Sequence, residues 1–298
     1  MSYKSRLIKD KLAAKTVLLL VIAASLLVVA IIAGLYIRSR PILAEKPLWD
    51  LLFSSAWRPL RGQFGFYPFL MGSLWVTGVA ILIATPLSLL TSLFLSEYAP
   101  RRFRNLAKSL IDLLAGIPSV VFGVWGVLAI VPFVKDTLAP MFGLSVSGYC
   151  VLSAGLVLAV MIFPIIIHVC LDVLGSVPVE IKEASLSLGA THWQTIKFVI
   201  VRKALPGIIA AVVLGLSRAF GETMAVLMVA GNVSKAPHSL FDPAYPLPAL
   251  IANNFGEMLS IPLYDSALLF SALLLMGVVL LFSMASRVVL IRIENRVR

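Results

Sequence analysis

Charge is what this sequence most conspicuously lacks. Of 298 residues only 13% are Asp, Glu, Lys or Arg and 60% are hydrophobic, whereas a soluble domain carries about 25% charged and about 45–50% apolar residues. Both departures exclude a soluble globular fold, and the same hydrophobicity excludes disorder. Acidic residues are the scarcer sign, 14 against 25 basic ones, for a net charge of +11. That excess does not signal a nucleic-acid groove, because the basic residues flank apolar runs in short clusters, the placement that sets membrane topology. Cysteine is nearly missing. Cys150 and Cys170 fall in one apolar run, and twenty helical residues separate them by about 30 Å, too far to bridge. They read as small buried hydrophobes. The three histidines, His168, His192 and His238, are scattered and read as structural, and no metal-ligand spacing or catalytic triad appears. No Gly-x4-Gly-Lys-Ser/Thr loop occurs anywhere in the chain, so it holds no nucleotide site of that kind.

What is present is a set of six apolar runs of about the length a membrane helix needs: Val17–Ile37, Phe69–Leu95, Ser109–Val134, Tyr149–Leu171, Leu205–Ala230 and Ser266–Leu290. The fold class is therefore an all-α membrane protein of six transmembrane helices. The first run is too long for a signal-peptide core and is followed by Arg38-Ser39-Arg40 instead of a cleavage site, so it is expected to be a retained span. With the N-terminus placed inside, 17 basic residues lie in inside segments and 7 outside, with Arg218 inside a span; both termini are then expected in the cytoplasm. Pro86, Pro164 and the Gly116-Ile117-Pro118-Ser119 stretch interrupt their runs and predict bends, and Gly116, Pro118 and Ser119 are candidates for a gate. Residues 39–68, with Trp49, Trp57 and Tyr67, read as an interfacial stretch. Residues 231–265, with five prolines, read as a long, partly ordered external loop.

The residue pair that stands out is Arg218 and Glu222, both within the fifth run. An ion in mid-bilayer is costly. Four positions apart they share one helix face and can pair, although Arg before Glu is the weaker order, and a buried pair often gains nothing over apolar packing. One reading is that they bond to a neighbouring helix and fix assembly. The other is that they line a path for a charged solute, with Ser217 and Thr223 supplying hydroxyls. A guanidinium suits an oxyanion because its fork donates two parallel hydrogen bonds. Glu222 would hold Arg218 in place, or favour an anion that still carries a proton.

The segment between the fourth and fifth runs is also patterned. Pro178 can open a helix, Glu180 and Glu183 suit its first turns, and Gly189 can close it. Thr191 with Gln194 forms a capping box for a second short helix. The product is a helix-turn-helix on one membrane surface, able to lie on headgroups or to dock in another protein's groove.

Glu183-Ala184-Ser185, followed after three residues by Gly189, resembles the EAA loop of ABC importer permeases. Phe220-Gly221-Glu222-Thr223-Met224-Ala225-Val226 preceded by Arg218, together with Leu95-Ser96-Glu97-Tyr98-Ala99-Pro100 and Ala115-Gly116-Ile117-Pro118-Ser119-Val120-Val121-Phe122-Gly123, resembles the phosphate-specific permeases of the PstC type. One departure is that the Leu-Pro ending an EAA motif occurs four residues late, at Leu205-Pro206. The resemblance implies a type I ABC importer permease architecture. Residues 1–68 would hold an N-terminal segment, the first span and an external stretch, and residues 69–298 a five-span core with a coupling loop at 172–204. Glu183, Ala184, Ser185 and Gly189 would meet the ATPase, and Arg218, Glu222, Ser217 and Thr223 would line the phosphate path. It further implies a bacterial inner-membrane location, a homologous PstA-type permease, two ATPase subunits and an external phosphate-binding protein as partners. No cofactor is expected in this chain, with ATP and magnesium on the partner ATPase. Alternatives are a permease for sulfate, molybdate or phosphonate, a passive channel, or an intramembrane enzyme.

Overall fold

The computed structural model describes residues 3–256 and 261–297; Arg298, one of the basic residues counted at the C-terminus, and residues 257–260 of the external loop lie outside them. The described chain runs through α1 (Tyr3–Glu45), α2 (Leu48–Phe53), the hairpin β1 (Trp57–Arg58) and β2 (Gln63–Phe64), and α3 (Tyr67–Tyr98). It continues through α4 (Arg101–Gly116), α5 (Ser119–Met141), α6 (Val151–Gly175), α7 (Val179–Ser187), α8 (His192–Gly221), α9 (Met224–Val229), α10 (Leu247–Asn254) and α11 (Tyr264–Val297). Among the described residues, α1, α3, α5, α6, α8 and α11 are long and apolar enough to cross a bilayer.

α6 is the centre of the bundle, with α3, α4 and α8 packed around it. Two thirds of its most apolar stretch is buried inside the chain, and Val151, Ala154, Val157, Ile162 and Ile166 are fully enclosed. In lipid such packing rests on close backbone approach through small residues. Gly155 shows it: a Cβ there would sit 2.4 Å from a methyl of Val79 on α3. α1 is the opposite case. It packs on α11 near its C-terminal end, where Ser39 and Ile42 are buried. None of its most apolar stretch is buried within the chain.

The third crossing differs from the run at Ser109–Val134. Residues 101–116 form α4, a separate amphipathic helix: Ile111 is buried, with Ala107 packed beside it, and Arg101, Arg102 and Asp112 are exposed. The crossing starts only at Ser119. The corner arises because a residue before proline is pushed out of the helical region, and Ile117 has φ −70°, ψ 129°. Gly116-Ile117-Pro118-Ser119 is thus a corner between two helices and not a bend inside a span. Pro86 and Pro164, by contrast, sit within continuous helices. His168 on α6 holds α4 through Asp112 at 2.8 Å. Cys150 and Cys170 are buried and unbridged.

Two segments read as peripheral are built into the core. Residues 231–256 fold back against the bundle: Ala244 to Leu250 are all buried, and the Leu247 amide donates to Ser73 Oγ of α3 at 2.9 Å. The carbonyls of Asp242 and Leu240 accept from the amides of Val151 and Leu152 at 2.9 and 2.8 Å, satisfying donors at the start of α6 that no helical carbonyl can reach. Trp57, expected at an interface, packs in an aromatic cluster, with centroids 4.9 Å from Phe69 and 5.5 Å from Phe66. Ile42, Leu51 and Phe64 share that cluster with Phe69, Tyr245 and Tyr264, so the boundary expected at residue 68 runs through one continuous core.

Candidate functional site

The fifth apolar run is not one helix. α8 ends at Gly221, Glu222 is extended (φ −72°, ψ 125°), and α9 begins at Met224. Arg218 and Glu222 therefore do not share a helix face, and no ion pair joins them among the described residues. This corrects the expected (i, i+4) pair, and the backbone explains why these charges stand here in the less favourable order. Arg218 lies in the last turn of α8, where a cation complements the negative end of the helix dipole. Glu222 precedes α9, and its Oε1 accepts the Ala225 amide at 3.3 Å. Each charge is matched to a helix end and not to the other charge.

Arg218 is exposed on the surface of the chain, and among the described residues it makes no hydrogen bond or ion pair. Ser217 and Thr223 are half-buried beside it, and Thr223 Oγ1 donates back to the Gly221 carbonyl at 3.3 Å. Behind Glu222, on the core side, is a small cavity with room for about one water. Ser73 and Thr77 of α3 and Pro246 and Pro248 of the infolded segment line it. These four residues carry no motif; what places them there is the folding back of residues 231–256. α9 packs on α5, where Gly123 faces Met228. The corner at Gly116, Pro118 and Ser119 is thus one turn away from a helix that touches the segment after the break.

The other candidate group lies at the far end of α8. α7 is a nine-residue helix with no buried residue. Glu183 and Ala184 are exposed, while Ser185 is half-buried and bonded to Thr195 Oγ1 at 2.9 Å. Gly189 has φ +84°, a conformation that costs other residues a Cβ clash. The Gly189 amide reaches the Leu186 carbonyl at 3.0 Å and the Ala190 amide the Ser185 carbonyl at 3.3 Å, the two bonds of a Schellman stop. The capping box is formed: Gln194 N donates to Thr191 Oγ1 at 3.2 Å and Thr191 N to Gln194 Oε1 at 2.8 Å. After it α8 runs on through a π-type turn at Ile196–Ile200 and past Pro206 without a break. From His192 to Arg218 is about 40 Å of helix at 1.5 Å per residue, so one rod carries both groups at its two ends.

Sequence reasoning missed the contact that seats α7. Lys182 Nζ lies 2.8 Å from Glu97 Oε1, with the carboxylate side chain only 6% exposed. The available signal was a lone acidic residue at the polar end of the second run, in Leu95-Ser96-Glu97-Tyr98.

The site thus combines a span broken at an exposed cation with a surface helix pair at the other end of the same rod. Residues 84–298 match the model of the family described as binding-protein-dependent transport system inner membrane component, and the chain belongs to that family. It is a multi-pass inner-membrane permease subunit of an ABC importer, of the PstC type, and not an enzyme. It is 36% identical over 83% of its length to the phosphate transport system permease protein PstC of Mesorhizobium japonicum, covering 80% of that protein. It is 39% identical over 80% of its length to the probable ABC transporter permease protein YqgH of Bacillus subtilis, covering 76% of it. Among solved structures, a chain of a bacterial alginate ABC transporter in complex with an alginate pentasaccharide-bound periplasmic protein superposes with a TM-score of 0.64, at 16% identity over 97% of this chain and 98% of that one. A chain of the inward-facing MetNI methionine ABC transporter gives 0.57 at 20% identity over 74% and 93%. These two likenesses concern the fold.

Proposed function

We propose that this chain is the permease subunit through which an ABC importer moves inorganic phosphate into the cytoplasm. It would pair with a homologous PstA-type permease, take solute from an external phosphate-binding protein and be driven by two ATPase subunits that hold ATP and magnesium. The observation that carries this reading is the guanidinium of Arg218, without an ion-pair partner among the described residues and held at a helix break inside an apolar span. A lone cation there is expensive unless an anion meets it, and interrupted helices line the solute sites of many transporters. The PstC names of the relatives support phosphate over sulfate, molybdate or phosphonate.

In the mechanism that follows, both termini are cytoplasmic, as the 17-to-7 distribution of basic residues favours. α7 then lies on the cytoplasmic side with Glu183 and Ala184 turned to the ATPase. Arg218 donates its two parallel N–H groups to the phosphate oxygens as the anion passes, while Ser217 and Thr223 supply further hydroxyls. Movement of α7, passed along α8 as a rigid rod, shifts Arg218 relative to the corner at Gly116, Pro118 and Ser119, which serves as the bend or gate of alternating access.

The test is uptake of labelled phosphate by the complete complex in proteoliposomes carrying Arg218→Gln, with sulfate and molybdate as parallel solutes. Phosphate uptake should vanish while assembly persists; normal transport by that variant would refute the site, and preference for another oxyanion would refute the substrate. Glu222→Gln should lower the rate of phosphate uptake, and an unchanged rate would count against a role for its charge.

A further inference from the structure

α7 receives force in the reading above, yet it has no buried residue with which to grip the bundle. A nine-residue helix is marginal on its own and owes its stability to tertiary contacts. Its attachment is polar and specific. Lys182 Nζ meets Glu97 Oε1 at 2.8 Å, with side-chain exposures of 23% and 6%. Glu97 lies in a π-type turn, Phe94–Tyr98, that ends α3; an extra residue in a helical turn of this kind frequently marks a functional position.

The turn is itself braced. Ser96 Oγ donates to the same Glu97 Oε1 at 2.9 Å, and Arg104 Nη2 from α4 donates to the Ser96 carbonyl at 2.7 Å. The ring of Tyr98 meets that of His192, the first residue of α8, edge-on at 5.0 Å. Lys182 and Glu183 are neighbours about 100° apart around the helix, so one faces inward to α3 while the other stays exposed. The receiving helix is thus fastened to two spans: to α8 through Ser185–Thr195 and the short connection, and to α3 through the ion pair.

We propose that Glu97 and Lys182 are positioning residues that transmit the stroke of α7 into α3, so that two walls of the bundle move together and not α8 alone. The proposal rests on the reading of α7 as the ATPase-coupling element. A pair this enclosed gives little net stability over apolar packing; what it supplies is a fixed geometry between two elements, which is what a mechanical joint needs.

The experiment uses the complete complex in proteoliposomes and measures solute uptake and ATP hydrolysis on the same vesicles, with assembled complex quantified. In Glu97→Gln and in Lys182→Met, uptake per ATP hydrolysed should fall about tenfold, within the range of coupling between linked sites, while basal hydrolysis is kept. The double variant should be no worse than either single one, since both remove one joint, and the reversed pair Glu97→Lys with Lys182→Glu should recover part of the ratio. A wild-type ratio in both single variants, whether uptake and hydrolysis fall together or neither falls, overturns the proposal. If a single variant does not assemble, the double variant, which leaves no charge buried alone, decides by the same ratio; its failure to assemble would make the pair structural and also overturn the proposal. A wild-type complex that carries a different oxyanion refutes the phosphate reading only, and the ratio is then read with that solute.

Discussion

The two ends of α8 carry charge in opposite ways. At one end Arg218 is exposed where the helix breaks and has no ion-pair partner among the described residues. At the other, Lys182 on the adjoining α7 is matched to an enclosed carboxylate at 2.8 Å. A cation with a built-in partner has its electrostatics satisfied inside the fold, so it fixes geometry and leaves nothing for a ligand. A cation without one is costly in a membrane until something negative arrives. The contrast teaches that charge in a membrane protein is read by its partner and not by its depth alone.

The comparison breaks most sharply at Arg218. Arg218→Gln would remove the two charge-assisted hydrogen bonds proposed for the passing phosphate, so uptake should fall by about a hundredfold or more. Arg218→Lys, which keeps the charge but loses the fork, should retain part of it, and equal uptake by both variants would argue that charge and not geometry matters. At the other end the expected effects are smaller and structural. Gly189→Ala forces a Cβ into φ +84° at a cost of about 1–2 kcal/mol, and amide hydrogen exchange across residues 185–190 should quicken about 5- to 30-fold. Unchanged exchange would mean that the Schellman stop is not what closes α7. Smallest is Thr191→Ala, which removes the Oγ1 that caps α8 and should cost about 1 kcal/mol; a drop in the melting temperature of the purified complex checks it, with uptake per ATP unaffected.

Much of this was legible in one dimension. Six apolar runs led to six spanning helices, since twenty apolar residues have one economical place in a bilayer. The capping box at Thr191 and Gln194 and the stop at Gly189 were readable because both are local hydrogen-bond patterns between residues three to five apart. Less legible were the corner at Ile117, which Pro118 flagged but which read as a bend inside a span because α4 has apolar residues enough to extend the run, and the break at Glu222, where no proline announces it. Ser73, Thr77, Pro246 and Pro248 around Glu222 could not be foreseen at all, because they meet across more than 140 residues of sequence.

Sequence by itself determined that this chain lives in a membrane and crosses it in helices, because hydropathy and short-range backbone chemistry act between near neighbours; its likeness to ABC importer permeases rested on motif resemblance. Only the tertiary structure decided which charges are satisfied: Glu97 found Lys182 eighty-five positions away, and Arg218 found no ion-pair partner among the described residues although Glu222 stood four positions on. Pairing depends on where helices end and which faces they press together, and those are set by packing over the whole bundle.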